Sequence, residues 1–488
     1  MYRRWIVVAA ILLSASLIQI PVVLNADLGW LLTANEKILA GQTLGVDLFE
    51  SNPPLSVYMY MPAAMLARMT GVAPEFVVIV LVIIEIAGAL LMIDCAARHA
   101  GYETRERDVL AWCFALLFAI LPGSVFGQRE HIAVVALTPF VAITAIRWRG
   151  MDPGPVAILV GLGAGLAMSI KPFFALVMGL PIIVAIVRQR SIRPLLTVEA
   201  SVAAVTAIAY AAVVAVVFPD YLFTYAPMVA DAYLPIRMEF VSLILIPISV
   251  IGASVGFVRI AASHNVKAWS EATPWLAASV GGAAAFLVQG KGWPYTAFSL
   301  CLLAIAAPLL LYRANTMRTS VVTAGVCVIV LIGIYLSTPA PGFPPLEQRV
   351  QALAKHPRLL TITDHIALGH PLVRELHGVW VGSSCAQLLA GGAILREQDP
   401  NLSDRVRAKL NNVVAFERRQ LLTNLRNGHP DVILVDTYLF STFRFDWLAW
   451  AKSDPEIRAE LGHFREVEGV GRVRIFISQS QAGEPAPS

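Results

Sequence analysis

Charge is scarce in this chain. Of its 488 residues only 14% are Asp, Glu, Lys or Arg, against roughly a quarter in ordinary soluble domains, which excludes a soluble cytosolic enzyme. Cysteine is sparse too: Cys95, Cys113, Cys301 and Cys327 stand in apolar stretches and Cys385 is alone in the polar tail. No disulfide can therefore close within that tail, and no Cys-x-x-Cys metal or redox pair exists. There is no internal repeat and no low-complexity run. Net charge is only +4, and the cations fall where a membrane protein needs them for orientation, so nucleic-acid binding has no support.

What the chain has instead is apolar sequence, 57% of it hydrophobic, and an uneven spread of the remaining charge. Residues 1–340 carry 20 Lys/Arg and 17 Asp/Glu, about 11% charged, whereas residues 341–488 carry 17 and 16, about 22%. Two physical objects follow, a membrane part and a water-facing part. Apolar stretches of about 20 residues suit helices crossing a hydrocarbon core of roughly 30 Å. Eleven are expected, near 5–24, 72–97, 109–122, 131–147, 154–170, 172–187, 195–218, 240–260, 274–289, 294–312 and 320–338.

Orientation follows from the cations, because cytoplasmic loops accumulate them. One set of alternate loops holds 14 of the 20 membrane-part cations, leaving Lys37, Arg68, Arg129, Lys171, Arg237 and Lys291 for the other side. The amino terminus is then cytoplasmic and the tail extracytoplasmic. Arg3-Arg4 before an apolar run also suits a secretory signal with Ala26 as cleavage candidate, but Leu24 is a poor small residue for such a site. The long loops 25–71 and 218–240, rich in Pro, Tyr and acids, fall on the outer side, where chemistry or recognition is expected. Pro339, Pro341, Pro344 and Pro345 around Gly342 read as a stiff linker into the tail. The tail reads as an α/β domain: strands at 358–363, 378–382 and 432–436, a helix at 403–427 starting on Ser403-Asp404 and ending at Gly428, and a closing hairpin 463–468/472–478 around Gly469-Val470-Gly471.

Immediately after the first apolar run stands Asn25-Ala26-Asp27-Leu28-Gly29-Trp30, and about 20 residues later Asp47-Leu48-Phe49-Glu50-Ser51-Asn52-Pro53-Pro54-Leu55. A carboxylate at the end of a membrane helix is costly to desolvate, and desolvation raises its pKa toward the range of an efficient base. The plain alternative is that Asp27 caps a short helix over 28–40. An acid just after the first span, followed by a Glu-x-x-Pro-Pro-Leu stretch leading into the second, resembles the GT-C superfamily of integral-membrane glycosyltransferases, in the branch of protein O-mannosyltransferases and lipid A aminoarabinose transferase. That resemblance covers the general plan of the chain, while its specific motifs are confined to the first loop. It implies a polytopic α-helical membrane protein of about eleven spans (1–340, with the catalytic loop 25–71) and a carboxy-terminal extracytoplasmic, periplasmic α/β domain (341–488) in a bacterial inner membrane. It implies a polyprenyl-phosphate sugar as donor, an envelope glycolipid or polysaccharide as acceptor, and Asp27 and Glu50 as catalytic acids. The family often has Asp-Glu where this chain has Asp27-Leu28, and Glu-Lys-Pro-Pro where it has Glu50-Ser51-Asn52-Pro53; a divalent metal ion is the one cofactor left open.

A sugar on a lipid phosphate already has a good leaving group, so the chemistry needs a base for the acceptor hydroxyl and cations for the departing phosphate. One base attacking opposite the phosphate gives inversion at the anomeric carbon. Three outer-side segments supply cations: Gly127-Gln128-Arg129-Glu130-His131, Ser169-Ile170-Lys171-Pro172 and Gln289-Gly290-Lys291-Gly292-Trp293-Pro294-Tyr295. Arg129, Lys171 and Lys291 are the expected phosphate contacts, and Asp47, Gln128, His131, Trp293 and Tyr295 the expected substrate contacts. The last segment is not a P-loop, because no Gly sits five positions before Gly290 and Gly292 replaces Ser/Thr. The alternatives are that Arg129 pairs with Glu130, that the lysines snorkel to the interface, and that His131 satisfies a local hydrogen bond. His356, His365, His370 and His377 fit no zinc spacing and are expected at the surface. Tyr221, Tyr225 and Tyr233 suit sugar stacking or an interfacial aromatic belt. A different class, a transporter or lipid-linked-sugar flippase, would favour paired halves and midplane charges; there is no repeat, and the ionisable residues gather at the outer ends with Glu85 and Asp94 as exceptions. A non-catalytic scaffold with the same fold is the third reading.

Overall fold

The apolar runs fold as helices because a backbone in lipid must satisfy its own hydrogen bonds. The structure, a computed structural model, describes residues 2–22, 24–262, 265–311 and 343–479. Among them, ten of the eleven expected spans coincide with helices, and the eleventh, 320–338, lies outside the described residues. Among the described residues, five helices are long and apolar enough to cross a membrane: Tyr2–Gln19, Pro74–His99, Arg129–Trp148, Val198–Val217 and Phe240–Ala262. Shorter apolar helices lie at Ala157–Ile170, Phe174–Gln189 and Pro294–Leu309, so several of the expected spans within the described residues are shorter than a full crossing. The chain divides into two compact units: residues 1–22, 65–216 and 237–339, and residues 23–64, 217–236 and 340–488.

In the first unit, close helix contacts need small residues. A side chain on Gly281 would meet the Leu176 carbonyl oxygen at 2.4 Å and one on Gly282 the Leu300 nitrogen at 2.6 Å, so helix Val266–Gln289 packs backbone-close on both sides. One end of this unit is held by charge. Arg4, 1% exposed, donates to Asp108 at 2.6 Å and also pairs with Asp94, whose carboxylate takes two further bonds from Arg107 at 2.9 and 2.6 Å. Arg147 forms a two-pronged pair with buried Glu199 at 2.6 and 2.9 Å, tying helix Arg129–Trp148 to Val198–Val217. These acids and bases are satisfied by one another, which is what makes their burial tolerable.

The second unit contains a five-stranded sheet. Its strands are β1 (Arg358–Ile362), β2 (Val379–Trp380), β3 (Val432–Val435), β6 (Phe464–Val470) and β7 (Val473–Ser478), in spatial order β2-β1-β3-β7-β6. A separate two-residue pair, β4 (Tyr438–Leu439) with β5 (Phe443–Arg444), follows β3. β2, β1 and β3 are parallel, and β7 and β6 close the sheet antiparallel. β3 is buried at every position, as expected of a strand covered on both faces.

Helix Asp404–Gly428 buries Leu410, Val413, Glu417, Leu421, Asn424 and Leu425, a 3–4 spacing that fixes its inner face. Ser403 makes no side-chain cap bond, and His429 rather than Gly428 takes the left-handed conformation that ends the helix. Pro344 and Pro345 begin helix Pro344–Leu353 instead of continuing a linker, proline being well suited to a first helical turn; Pro339, Pro341 and Gly342 lie outside the described residues. The long 218–240 segment is helical over 219–233, with π turns at Tyr221–Tyr225 and Val229–Tyr233, and irregular over 236–239.

Candidate functional site

Asp27 stands in the first turn of helix Ala26–Leu39, whose cap is made by Asn25: its side chain accepts the Asp27 backbone N–H at 3.0 Å. The capping alternative for the Asp27 carboxylate thus has a different residue in it. Asp27 is only partly buried, and a carboxylate in a first helical turn is favoured by the helix dipole. Glu50 is different. It is 6% exposed and accepts the Trp30 indole N–H at 2.7 Å, the Asn52 amide at 2.6 Å and the Asn52 backbone N–H at 3.1 Å. The Pro53-Pro54 turn that follows leads directly into helix Leu55–Tyr58. Glu50 thereby ties the loop to Trp30, three residues after Asp27. Asp47 is exposed, with one carboxylate oxygen accepting the Thr43 N–H at 2.8 Å.

Around this loop, in the same unit, lie side chains that sequence reading placed at the surface. His370 is fully buried, its ring 5.5 Å from Trp30 and 4.5 Å from Trp380, and burial pushes it down to about 3. His365 is half-buried beside Arg472 at 3.2 Å, and it is pushed down to about 4 by burial and then by that guanidinium. His356 and His377 are exposed, as expected. Tyr225 is buried against Phe49 at 5.5 Å and Phe416 at 6.0 Å, while Asp231 pairs with Lys409 at 2.9 Å. These residues are structural mortar rather than an exposed sugar platform.

In the first unit, Gln128, Arg129, Glu130 and His131 are all 3% exposed or less, at the start of helix Arg129–Trp148. Glu130 pairs with Lys171, not with the adjacent Arg129. The Lys171 ammonium also lies 5.6 Å from the Phe173 ring and 5.7 Å from that of Tyr295, which itself packs on Trp293 at 5.6 Å. The structure thus gathers Glu130, Lys171, Trp293 and Tyr295. His131 accepts the Gly127 N–H at 3.0 Å and makes a second bond, 2.7 Å, to the Phe118 carbonyl. Both ring nitrogens are engaged within the protein, the local bonding expected as the alternative for His131.

Lys291 is half-buried in a turn where Gly290 and Gly292 both take positive φ, 67° and 70°. Burial first and Arg237 second push its ammonium down to about 7. Arg237 is held by the last carbonyls of helix Val266–Gln289, donating to Leu287 at 3.3 Å and Val288 at 3.0 Å. Among the described residues no three His, Cys, Asp or Glu side chains gather as metal ligands.

Sequence reading missed a second group of acids. Asp364 and Asp436 follow the ends of parallel strands β1 and β3, the edge where open α/β sheets place polar chemistry. Burial raises Asp364 to about 7; Asp436 accepts the Thr437 and Tyr438 N–H groups at 2.7 and 3.1 Å and pairs with Arg472 at 3.2 Å. The signal was present: an Asp directly ends each apolar run, Leu-Leu-Thr-Ile-Thr-Asp and Val-Ile-Leu-Val-Asp.

No protein-family model and no curated protein sequence matches this chain. Among solved structures, the chain is similar to the Archaeoglobus fulgidus oligosaccharyltransferase tethered through a disulfide to an acceptor peptide with the NVT sequon. Identity there is 13%, the match covers 76% of this chain and 59% of that one, and the TM-score is 0.37. It is also similar to the archaeal oligosaccharyltransferase AglB from the same organism in complex with an inhibitory peptide and a dolichol-phosphate, at 13% identity over 98% of this chain and 75% of that one, TM-score 0.41. This chain spans about three fifths of the length of the first.

Proposed function

We propose that the chain is an inverting glycosyltransferase that moves a sugar from a polyprenyl-phosphate donor to a cell-envelope glycolipid or polysaccharide on the outer face of a bacterial inner membrane. The observation that carries this reading is the placement of Asp27: a partly exposed carboxylate in a helix turn whose cap another residue already makes, on a loop pinned by the buried Glu50–Trp30 bond. In the step proposed, Asp27 takes the proton of the acceptor hydroxyl as that oxygen attacks the anomeric carbon. The bond from that carbon to the phosphate oxygen breaks on the opposite face, and polyprenyl phosphate leaves carrying the electron pair. Arg129, Lys171 and Lys291 are the proposed phosphate contacts, with Gln128, Trp293 and Tyr295 as sugar contacts. Glu50 acts as the positioning acid that holds the loop.

A test lies in the pH dependence of donor binding. A polyprenyl-phosphate sugar is a phosphodiester with constant charge near neutrality, so titration of the site belongs to Lys291. Its ammonium is charged below about pH 7 and neutral above. A bound phosphate that raises this pKa by about one unit makes affinity fall about tenfold from pH 6 to pH 8.5. Displacement of a tritiated donor from the detergent-solubilised protein measures it. Lys291→Met should bind weakly and evenly across that range; a pH-independent wild type removes Lys291 from the phosphate site.

A further inference from the structure

The unit built from residues 23–64, 217–236 and 340–488 contains an open cavity of about 480 Å³, within the roughly 300–1,000 Å³ of small-ligand sites. Its walls come from three places: the first long loop, the β1–β2 edge of the sheet, and one face of helix Asp404–Gly428. Three cations line it, Lys37, Arg358 and Arg419. Among the described residues none of the three makes an ion pair. Lys37 donates to the Gly382 carbonyl at 3.1 Å, and Arg358 to the Gly428 carbonyl at 2.6 Å. The one carboxylate in the wall, Asp47, already accepts the Thr43 N–H. Arg374 and Lys409 of this unit are paired, with Glu36 and Asp231, while among the described residues Arg418 donates only to the Trp450 carbonyl and the Ser453 hydroxyl. Three cations against one engaged carboxylate give this cleft a net positive wall.

The rest of the lining narrows the ligand. The Gln420 amide nitrogen is buried without a hydrogen-bond partner and Asn424 adds a second amide, the side chains that read sugar hydroxyls. Phe416, packed edge-on against Phe49 at 5.2 Å, supplies an apolar surface for the C–H face of a sugar ring. A compact phosphate would need several donors on one point. Here the cations are spread over three elements, and the helix presents its carbonyl-bearing end at Gly428, which repels a concentrated anion. Burial and then Arg358 push Lys37 down to about 8, so its ammonium is still charged at neutral pH.

We propose that this cavity binds a carboxylate-bearing saccharide, its acids meeting Lys37, Arg358 and Arg419 and its hydroxyls meeting Gln420 and Asn424. Naming that saccharide as the acceptor class rests on the transferase reading above; the binding site itself does not. Titration calorimetry on the full-length protein in detergent tests it, with trigalacturonate, maltotriose and inorganic pyrophosphate as probes. Trigalacturonate should bind, maltotriose at least tenfold more weakly, and pyrophosphate should not displace the trisaccharide. Arg419 is exposed and its side chain makes no hydrogen bond among the described residues, so Arg419→Gln keeps the fold and should weaken trigalacturonate at least fivefold, as should Lys37→Gln. Equal binding of maltotriose, displacement by pyrophosphate, or unchanged affinity in both variants overturns the site. Asp27→Asn should bind trigalacturonate as the wild type does. Trigalacturonate binding by a wild-type protein that transfers no sugar leaves this site standing and sinks the transferase reading.

Discussion

Asp27→Asn should lower the rate of sugar transfer by about 10²–10⁴-fold, the range lost when a positioned base is removed, while leaving the protein folded. The two effects separate because of local geometry. Asn25 makes the helix cap and is untouched by the change, and the carboxylate–dipole term lost is about 0.3–1 kcal/mol. Donor affinity should stay within about twofold, since the proposed phosphate contacts are cations elsewhere in the chain. Single-turnover transfer from a radiolabelled donor, beside a thermal unfolding curve, checks both. A variant that transfers at the wild-type rate excludes Asp27 as the base.

The largest expected effect on stability is at Glu417. It is 4% exposed and its two oxygens accept the Leu389 and Ala390 N–H groups at 3.1 and 2.8 Å, so a carboxyl on helix Asp404–Gly428 caps the start of helix Leu388–Glu397. Burial raises it to about 8. Glu417→Ala leaves two buried donors unsatisfied and a cavity, costing about 3 kcal/mol, or a fall in Tm of roughly 6–12 °C for a unit of this size. Glu417→Gln keeps one acceptor oxygen and the shape, and should cost less than about half of that.

The pH dependence has a definite sign. Because the folded-state pKa lies above the unfolded one, the contribution is complete below the ordinary carboxylate range and is lost as pH rises toward 8. The wild type should therefore lose Tm between about pH 5 and 8, and Glu417→Gln should flatten that slope. An equal slope in the two proteins contradicts the assignment.

Much of the carboxy-terminal sheet was legible in sequence, because its strands are short apolar runs punctuated by turn residues. The expected strands at 358–363 and 432–436 and the hairpin at 463–478 lie within a residue or so of those in the structure. The helix expected at 403–427 is Asp404–Gly428. What periodicity does not reveal is which long-range partner a polar residue finds. Glu130 finds Lys171, 41 positions away, instead of its neighbour Arg129, and His370 is sealed between Trp30 and Trp380. Glu417 did carry a local signal, a lone acid on the buried stripe Leu410–Val413–Leu421–Leu425. The helical 219–233 segment and the cavity around Lys37 and Arg419 left no comparable trace, since both depend on the first long loop packing within the same unit as the distant tail.

The central claim is transfer from a lipid-linked sugar, and its most direct measurement uses the wild-type chain in liposomes with polyprenyl-phosphate sugars labelled in the sugar ring. The label should move to an envelope glycolipid or polysaccharide with inverted anomeric configuration, one polyprenyl phosphate being released per sugar transferred. Labelled donor that only redistributes between the two leaflets, with no phosphate released, would contradict the account and leave a flippase in its place.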